Sequence, residues 1–248
     1  LLAFFFLCDL IFAKKSISAV LTFIYLLFST IPLLEGNIAN GEIFMIIPEI
    51  FAVWLFWEIV SSKGKHHPAN YLTIGLLFCA GFFYKVTAAF DFAAIIFYFV
   101  FLSRKKLIDT IRQIKNPQLW LMITGFVFPI ILTLIYYFAH DAGEPYLRSA
   151  LLQNIGYLSS YSSGKNSPLI LKGSILIILS LFLLFKRHRL AKPVLMVSSW
   201  FIFALFGSSM SGRPYPHYLI QIVAPAALLL GFLFFKSRKA EKILISIF

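Results

Sequence analysis

A few charged and polar side chains interrupt a chain that is otherwise mostly apolar, and the richest stretch is 211–218, which reads SGRPYPHY. The guanidinium of Arg213 can bind a phosphate or carboxylate through two parallel hydrogen bonds, and His217 beside it can donate to the same group. The prolines and the glycine end the preceding helix and restrict the turn. The pattern predicts half of an anion-binding site. The alternative is an interfacial anchor, with Tyr215 and Tyr218 as ordinary belt aromatics.

A second polar stretch, 35–42, reads EGNIANGE and opens the next apolar run. Asn40 is placed to cap the helix that follows. Glu42 and Glu49 are seven residues apart, so they share one helix face two turns apart in depth. Glu42 is therefore a candidate to face an outer cavity and contact a polar substrate. The alternative is a loop cap above one protonated or hydrogen-bonded buried Glu.

Lys85 stands between two apolar runs, directly after the segment CAGFFY at 79–84. An ammonium at this depth suits a lipid-linked phosphate, which it binds as a compact point charge. The alternatives are that Lys85 extends its ammonium to the headgroups, or that it pairs with Asp91.

The remaining polar residues define no further chemistry. His140, Asp141 and Glu144 could hold a divalent cation, but two of them are adjacent and the loop is polar, which favours solvated residues; no metal triad, nucleophilic Cys or Ser/His/Asp arrangement emerges. Within the chain no residue is a convincing general base.

Composition places these residues in a membrane protein. Of the 248 residues, 60% are hydrophobic, 18% aromatic and only 13% charged, against about 25% charged in soluble domains. The net charge of +12 does not indicate nucleic acid, because the basic residues sit in short loops between apolar runs. Because the chain begins inside an apolar run without Met, we expect it to be part of a longer protein.

The hydropathy pattern predicts an all-α, polytopic transmembrane bundle, a single domain over 1–248 with about nine spans. The expected runs are 1–13, 17–33, 43–60, 69–84, 86–103, 118–139, 168–186, 193–211 and 217–235. Seventeen of the 22 Lys and Arg residues fall in alternate loops, which the positive-inside rule makes cytoplasmic. The outer face then carries 34–42, Lys85, 140–167 and 211–217. Segment 140–167 has the amphipathic composition of an interfacial loop.

The polar stretches, in this order and spacing, resemble the GT-C glycosyltransferases, in the family 39 branch that includes protein O-mannosyltransferases and aminoarabinose transferases. GNIANGE at 36–42 is similar to their second outer loop, AGFFYK at 80–85 to a Gly-rich span ending in Lys, and RPYPHY at 213–218 to a late loop reading Arg…His-Tyr. The resemblance covers most of the chain.

The resemblance implies an inverting transferase that moves a sugar from a polyprenyl-phosphate donor to an envelope glycan, lipid or protein at the outer face of the plasma membrane. It assigns Glu42 to the acid of the second loop and Lys85 to the donor phosphate. Arg213, His217, Tyr218 and Asn40 become further donor contacts, and Asn154 with Tyr157 would line the acceptor side.

The family's acidic residue, usually an Asp in the first outer loop, activates the acceptor or helps to bind a metal, and the resemblance places it upstream of residue 1, where a divalent cation would bind if one is used. The partners implied are the lipid-linked donor and membrane lipids, with no nucleic acid. The alternative function is a transporter or flippase of a lipid-linked saccharide, which would carry polar residues through the midplane and the cytoplasmic half.

Overall fold

The computed structural model describes residues 1–62, 66–103, 107–153, 168–210 and 215–236, and within these ranges the chain is helical and contains no strand. The α-helices are α1 Leu2–Phe12, α2 Lys15–Thr30, α3 Gly41–Ser61, α4 Pro68–Tyr84, α5 Ala88–Phe97, α6 Leu107–Ile114, α7 Pro117–Ala139, α8 Gly143–Tyr146, α9 Pro168–Lys186, α10 Lys192–Ser209 and α11 Ile220–Gly231. Short 3-10 turns cover Pro32–Leu34 and Pro216–Leu219. The π-helical segments Tyr98–Leu102, Leu147–Leu152 and Phe232–Lys236 extend α5, α8 and α11.

Local chemistry explains where several helices begin. Proline opens α4 and α7, where its missing N–H would have had no intrahelical partner. Asn116 caps α7 by accepting the Gln118 backbone N–H through its side-chain oxygen at 3.0 Å. The ring nitrogen of His67 accepts from the Ala69 backbone N–H at 3.2 Å in the same way.

The expected nine runs each contain a helix, but the span count is supported only in part. Within the part of the chain that the structure describes, five helical segments are long and apolar enough to cross a membrane: Gly41–Ser61, Pro117–Ala139, Leu169–Lys186, Lys192–Ser209 and Pro216–Phe235. These indicate a multi-pass membrane protein. Four further apolar helices are shorter, at 10–17 residues, against the roughly 20 residues that a hydrocarbon core requires. The nine-span topology and the GT-C fold therefore stay predictions.

Helices α4 and α7 touch backbone to backbone through two glycines. A Cβ on Gly75 would stand 2.1 Å from the carbonyl oxygen of Met122, and one on Gly125 would stand 2.2 Å from that of Leu72. Small residues allow close helix crossings in membranes, where packing rather than hydrophobicity drives association. The α4–α7 pair joins α3, so the C-terminal end of α4 is held beside the N-terminal end of α3.

The second half of the bundle is built on α10. It packs against α5 on one side and α11 on another, with the fully buried Trp200 at its centre. Helix α9 covers α10 from outside and leaves large apolar side chains exposed, among them Ile170, Leu171 and Phe185. Such a surface suits contact with hydrocarbon rather than water.

Candidate functional site

Three polar segments that are far apart in the chain meet at one end of the bundle. Glu35 follows the 3-10 turn Pro32–Leu34, Glu42 lies in the first turn of α3, and Lys85 directly follows α4. The 3-10 turn Pro216–Leu219 completes the group with His217 and Tyr218. We call Glu35, Glu42, Lys85, His217 and Tyr218 the ionic cluster.

Lys85 and Glu42 form an ion pair in the cluster. The Glu42 side chain is 2% exposed and that of Lys85 is 23% exposed. Nζ of Lys85 also lies 3.8 Å from the ring centroid of Tyr218, which is cation–π geometry. Charges this deep are retained only when they are paired, and an ammonium has three N–H donors. The exposed fraction of Lys85 thus leaves donor capacity for an anion arriving from outside.

His217 connects the early and late segments. Its Nδ1 contacts Oε2 of Glu35, and its Nε2 lies 3.9 Å from Oε1 of Glu42, the same oxygen that pairs with Lys85. Tyr215 stacks on the imidazole at 5.4 Å between ring centroids, and Tyr218 meets it edge-on at 4.7 Å. The ring is therefore fixed in orientation by one carboxylate and two aromatic neighbours.

Within the ionic cluster, the pKa of Lys85 is shifted from its ordinary value. Burial lowers the pKa of its ammonium to about 7, because removing a charge from water favours the neutral amine. The Glu42 carboxylate opposes that effect by stabilising the charged form. When an anion binds near Lys85, it further favours the charged ammonium over the neutral amine.

The prediction for Asn40 is correct in position but not in bonding. Asn40 occupies the N-cap of α3, yet its side chain makes no cap hydrogen bond. Instead its Nδ2 donates to the carbonyl oxygen of Glu35 at 3.2 Å. Glu35 has a left-handed backbone with φ 54°, which the Asn40 bond helps to hold. Asn40 thus shapes the turn that presents Glu35.

Three predicted site residues, Arg213, Asn154 and Tyr157, lie outside the described residues, so their placement in the cluster stays a prediction. Of the expected interfacial segment 140–167, the structure describes a helical start over Gly143–Tyr146 and Leu147–Leu152.

Below the ionic cluster the bundle contains a second polar group that sequence reasoning missed. Asp91 accepts a hydrogen bond at 2.7 Å from the indole N–H of Trp200 and another from the side-chain amide of Gln221. All three side chains are buried. The expected alternative in which Lys85 pairs with Asp91 is wrong, because Lys85 pairs with Glu42 and Asp91 faces α10 and α11. Polar residues inside apolar runs, Asp91 and Gln221, were the available signal.

Glu49 belongs to the same region and, as predicted, shares the buried face of α3 with Glu42. Its side chain is fully buried, and neither carboxylate oxygen has a hydrogen-bond partner among the described residues. Gly81 of α4 approaches it so closely that an added Cβ would stand 3.2 Å from Cγ of Glu49. Burying a carboxylate without a partner costs folding free energy, so an acid in these surroundings is either protonated or retained for a function.

A cavity of about 500 Å³ opens beside the ionic cluster, between the end of α4, α7 and the segment after α8. Lys85, the residue that pairs with Glu42, is one of its lining residues. Its lining is largely aromatic and includes Phe82, Tyr84, Tyr137 and Tyr146, with the Thr133 hydroxyl. Such a lining offers apolar surface and a few hydroxyl groups next to one cation, which suits a ligand with an anionic headgroup.

No protein-family model matches the chain, no curated protein matches its sequence, and no solved structure matches its fold. Among the described residues, no group of three or more His, Cys, Asp or Glu side chains is arranged to hold a metal ion.

Proposed function

We propose that this protein is an integral membrane glycosyltransferase of the GT-C type, an enzyme that transfers a sugar from a polyprenyl-phosphate donor to an envelope glycan, lipid or protein at the outer face of the plasma membrane. One observation carries the proposal: Lys85 is paired with Glu42, its side chain is 23% exposed, and the same residue lines a cavity in which half of the lining residues are aromatic. The resemblance of 36–42, 80–85 and 213–218 to that family's motifs supports it.

Lys85 stabilises the leaving group in this proposal. When the bond between the anomeric carbon and the phosphate oxygen breaks, negative charge builds on the phosphate, and a preorganised cation lowers the cost of that charge. Glu42 and Tyr218 hold Nζ in place, by the ion pair and by the ring face at 3.8 Å. Arg213, in the same late loop as His217, supplies a second cation to the donor.

The transferase proposal is tested by Lys85→Ala and Arg213→Ala in the purified, reconstituted protein, assayed with polyprenyl-phosphate sugars. Each variant is expected to lose sugar transfer while membrane insertion stays normal. Lys186→Ala is the matched control, because Nζ of Lys186 also lies over an aromatic ring, that of Phe182 at 5.8 Å, outside the ionic cluster. Wild-type turnover in both site variants would remove the proposed phosphate site.

A transporter or flippase of a lipid-linked saccharide is the second candidate, and one observation favours it. Buried polar side chains also lie deeper in the bundle, below the ionic cluster: those of Asp91, Gln221 and Glu49. Polar groups within the membrane mark substrate or proton pathways in transporters. Proteoliposomes separate the two functions: a flippase moves a fluorescent polyprenyl-phosphate sugar between leaflets without consuming it, whereas a transferase needs an acceptor and releases polyprenyl phosphate.

A further inference from the structure

The cavity between the end of α4, α7 and the segment after α8 has a chain of hydrogen bonds in its wall. The phenol of Tyr146 donates to the hydroxyl oxygen of Thr133 at 3.3 Å, and the Thr133 hydroxyl donates in turn to the carbonyl oxygen of Ile130 at 2.8 Å. All three residues line the cavity, whose volume of about 500 Å³ is typical of small-ligand sites. Binding of a phosphate at Lys85 makes no use of these hydroxyl groups.

The direction of these hydrogen bonds indicates what the wall can bind. A hydroxyl group has one O–H donor and can also accept hydrogen bonds through its lone pairs. The Tyr146 proton is directed to Thr133 and the Thr133 proton to Ile130, so both oxygens keep capacity as acceptors but not as donors. A ligand that matches this wall therefore brings O–H donors of its own, which a sugar has and an isoprenoid chain lacks.

The aromatic part of the lining suits the same ligand. The rings of Tyr137 and Tyr146 stack with their centroids 4.1 Å apart and their planes at 14°, so the phenol of Tyr146 is held in place against α7. An aromatic face is electron-rich and attracts C–H groups that neighbouring oxygens have made electropositive. A sugar ring presents such C–H groups on its faces and hydroxyl groups at its rim. The aromatic lining residues are Phe82, Phe83, Tyr84, Tyr137 and Tyr146.

The charge of the lining restricts the kind of sugar. Among the described residues that line the cavity, none is Asp or Glu and one is a cation, Lys85. The Glu42 carboxylate, which is not a lining residue, is already paired with Lys85. The ammonium group of an amino sugar would lose water here without a carboxylate to pair with, and Lys85 would repel it. The lining therefore favours a sugar that carries hydroxyl groups and no amine.

We propose that this cavity binds the sugar of the donor, and that the sugar is neutral, with hydroxyl groups that donate to Thr133 and Tyr146. The inference rests on the proposed function, which supplies a lipid-linked phosphate at Lys85, and it deepens that function by naming the class of sugar. Because the sugar is bonded directly to the phosphate, a phosphate at Lys85 brings the sugar to a cavity that the same residue lines. Thr133 and Tyr146 determine specificity, and Tyr137 positions the Tyr146 ring.

Binding of matched donor lipids tests the sugar site. Isothermal titration of the reconstituted protein compares polyprenyl phosphates that carry a neutral hexose, each of its mono-deoxy analogues, or the corresponding amino sugar, so that the phosphodiester charge is constant. Loss of a hydroxyl that donates to the wall should weaken binding by about 5- to 150-fold, the range for leaving a buried polar group unpaired. The amino sugar should bind more weakly than the hexose.

Substitutions assign the effect to the two hydroxyl groups. Thr133→Val and Tyr146→Phe should each weaken binding of the hexose lipid, and a deoxy analogue that is weak in the wild type should show no further loss in the variant that lacks its partner. Thr133→Ser keeps the hydroxyl and should retain affinity. Tyr136→Phe is the matched control, because Tyr136 lies on α7 next to Tyr137, is 58% exposed and does not line the cavity. Unchanged binding of free polyprenyl phosphate shows that each variant is folded.

The outcomes separate the sugar site from the enzyme. Equal wild-type affinity for the hexose lipid and all its deoxy analogues would overturn the inference, even in a protein that transfers sugar, and would indicate that the isoprenoid chain occupies the cavity. Tighter binding of the amino sugar would overturn it as well. The expected binding pattern without sugar transfer would support the sugar site and refute the transferase. Failure to bind any polyprenyl-phosphate lipid would refute both.

Discussion

The indole N–H of Trp200 donates to Oδ1 of Asp91 across 2.7 Å, although 109 residues separate the two in the chain. The bond ties α10 to α5 inside the bundle, and Gln221 adds α11 by donating to the other oxygen of the same carboxylate. A buried acid that receives two donors links three helices at one point, directly below the ionic cluster.

Trp200→Phe is expected to destabilise the protein, because it leaves a buried Asp91 oxygen without its donor. The cost should be about 1–3 kcal/mol, the penalty for an unsatisfied buried polar group. Thermal unfolding in detergent measures it. Trp120→Phe is the control, because Trp120 is 55% exposed and its indole N–H donates to the nearby Ile114 carbonyl. Equal melting temperatures for the two variants would contradict a structural role for the Trp200–Asp91 bond.

Gly75→Ala should push α4 away from α7, because the new Cβ would stand 2.1 Å from the backbone oxygen of Met122. A side chain could rotate out of the way, but a helical backbone oxygen cannot. Overpacking of this kind costs about 1–3 kcal/mol. Gly173→Ala on α9 is the matched control, since its Cβ would lie within 4 Å of no atom in the described ranges. That control should be neutral or stabilising by about 0.5–1 kcal/mol. A Gly75→Ala protein as stable as Gly173→Ala would show that the helices do not cross this closely.

Donor binding should weaken as pH rises, because Lys85 is an ammonium below its lowered pKa of about 7 and a neutral amine above it. Affinity for a polyprenyl-phosphate sugar, measured between about pH 6 and about pH 9, should therefore fall through this window in the wild type. Lys85→Arg is the diagnostic variant, since a guanidinium stays charged over that range. A wild-type affinity that is flat with pH, or one that rises, would show that Lys85 does not hold the phosphate.

Tyr218 should act on Lys85 through its ring rather than its hydroxyl. Tyr218→Phe preserves the ring face that lies 3.8 Å from Nζ, so donor affinity should stay close to that of the wild type. Tyr218→Leu removes that face, and the loss should be about 0.5–2 kcal/mol of binding free energy. Isothermal titration with the donor lipid distinguishes the variants. If Tyr218→Phe loses as much donor affinity as Tyr218→Leu, the hydroxyl group is responsible for the loss and the cation–π assignment is wrong.

Replacing Glu49 by Gln should raise stability or leave it unchanged, because the native carboxylate is fully buried and its oxygens lack partners among the described residues. The neutral amide removes the cost of burying an ionisable group while keeping its volume. Glu42→Gln is the comparison, since it breaks an existing ion pair and should be destabilising. A large loss of stability in Glu49→Gln would indicate that its charge has a structural partner.

The sequence by itself determined the class of protein and the places where polarity collects. Apolar runs of helical length made the bundle predictable, because hydrocarbon requires the backbone to satisfy its hydrogen bonds within each segment. Prolines and capping residues marked the helix starts, including the N-cap position of Asn40. The rarity of charge in such a chain also singled out Glu42, Lys85 and His217.

Only the tertiary structure decided which side chains are partners. Hydropathy is nearly uniform around α3, α4 and α10, so it does not show which of their faces meet, and contacts over long separations depend on how the helices cross. Lys85 had two available acids, and the approach of α4 to α3 paired it with Glu42, while α5 directed Asp91 towards Trp200. The contact of Glu35 with His217 depends in the same way on two turns brought together by the packed bundle.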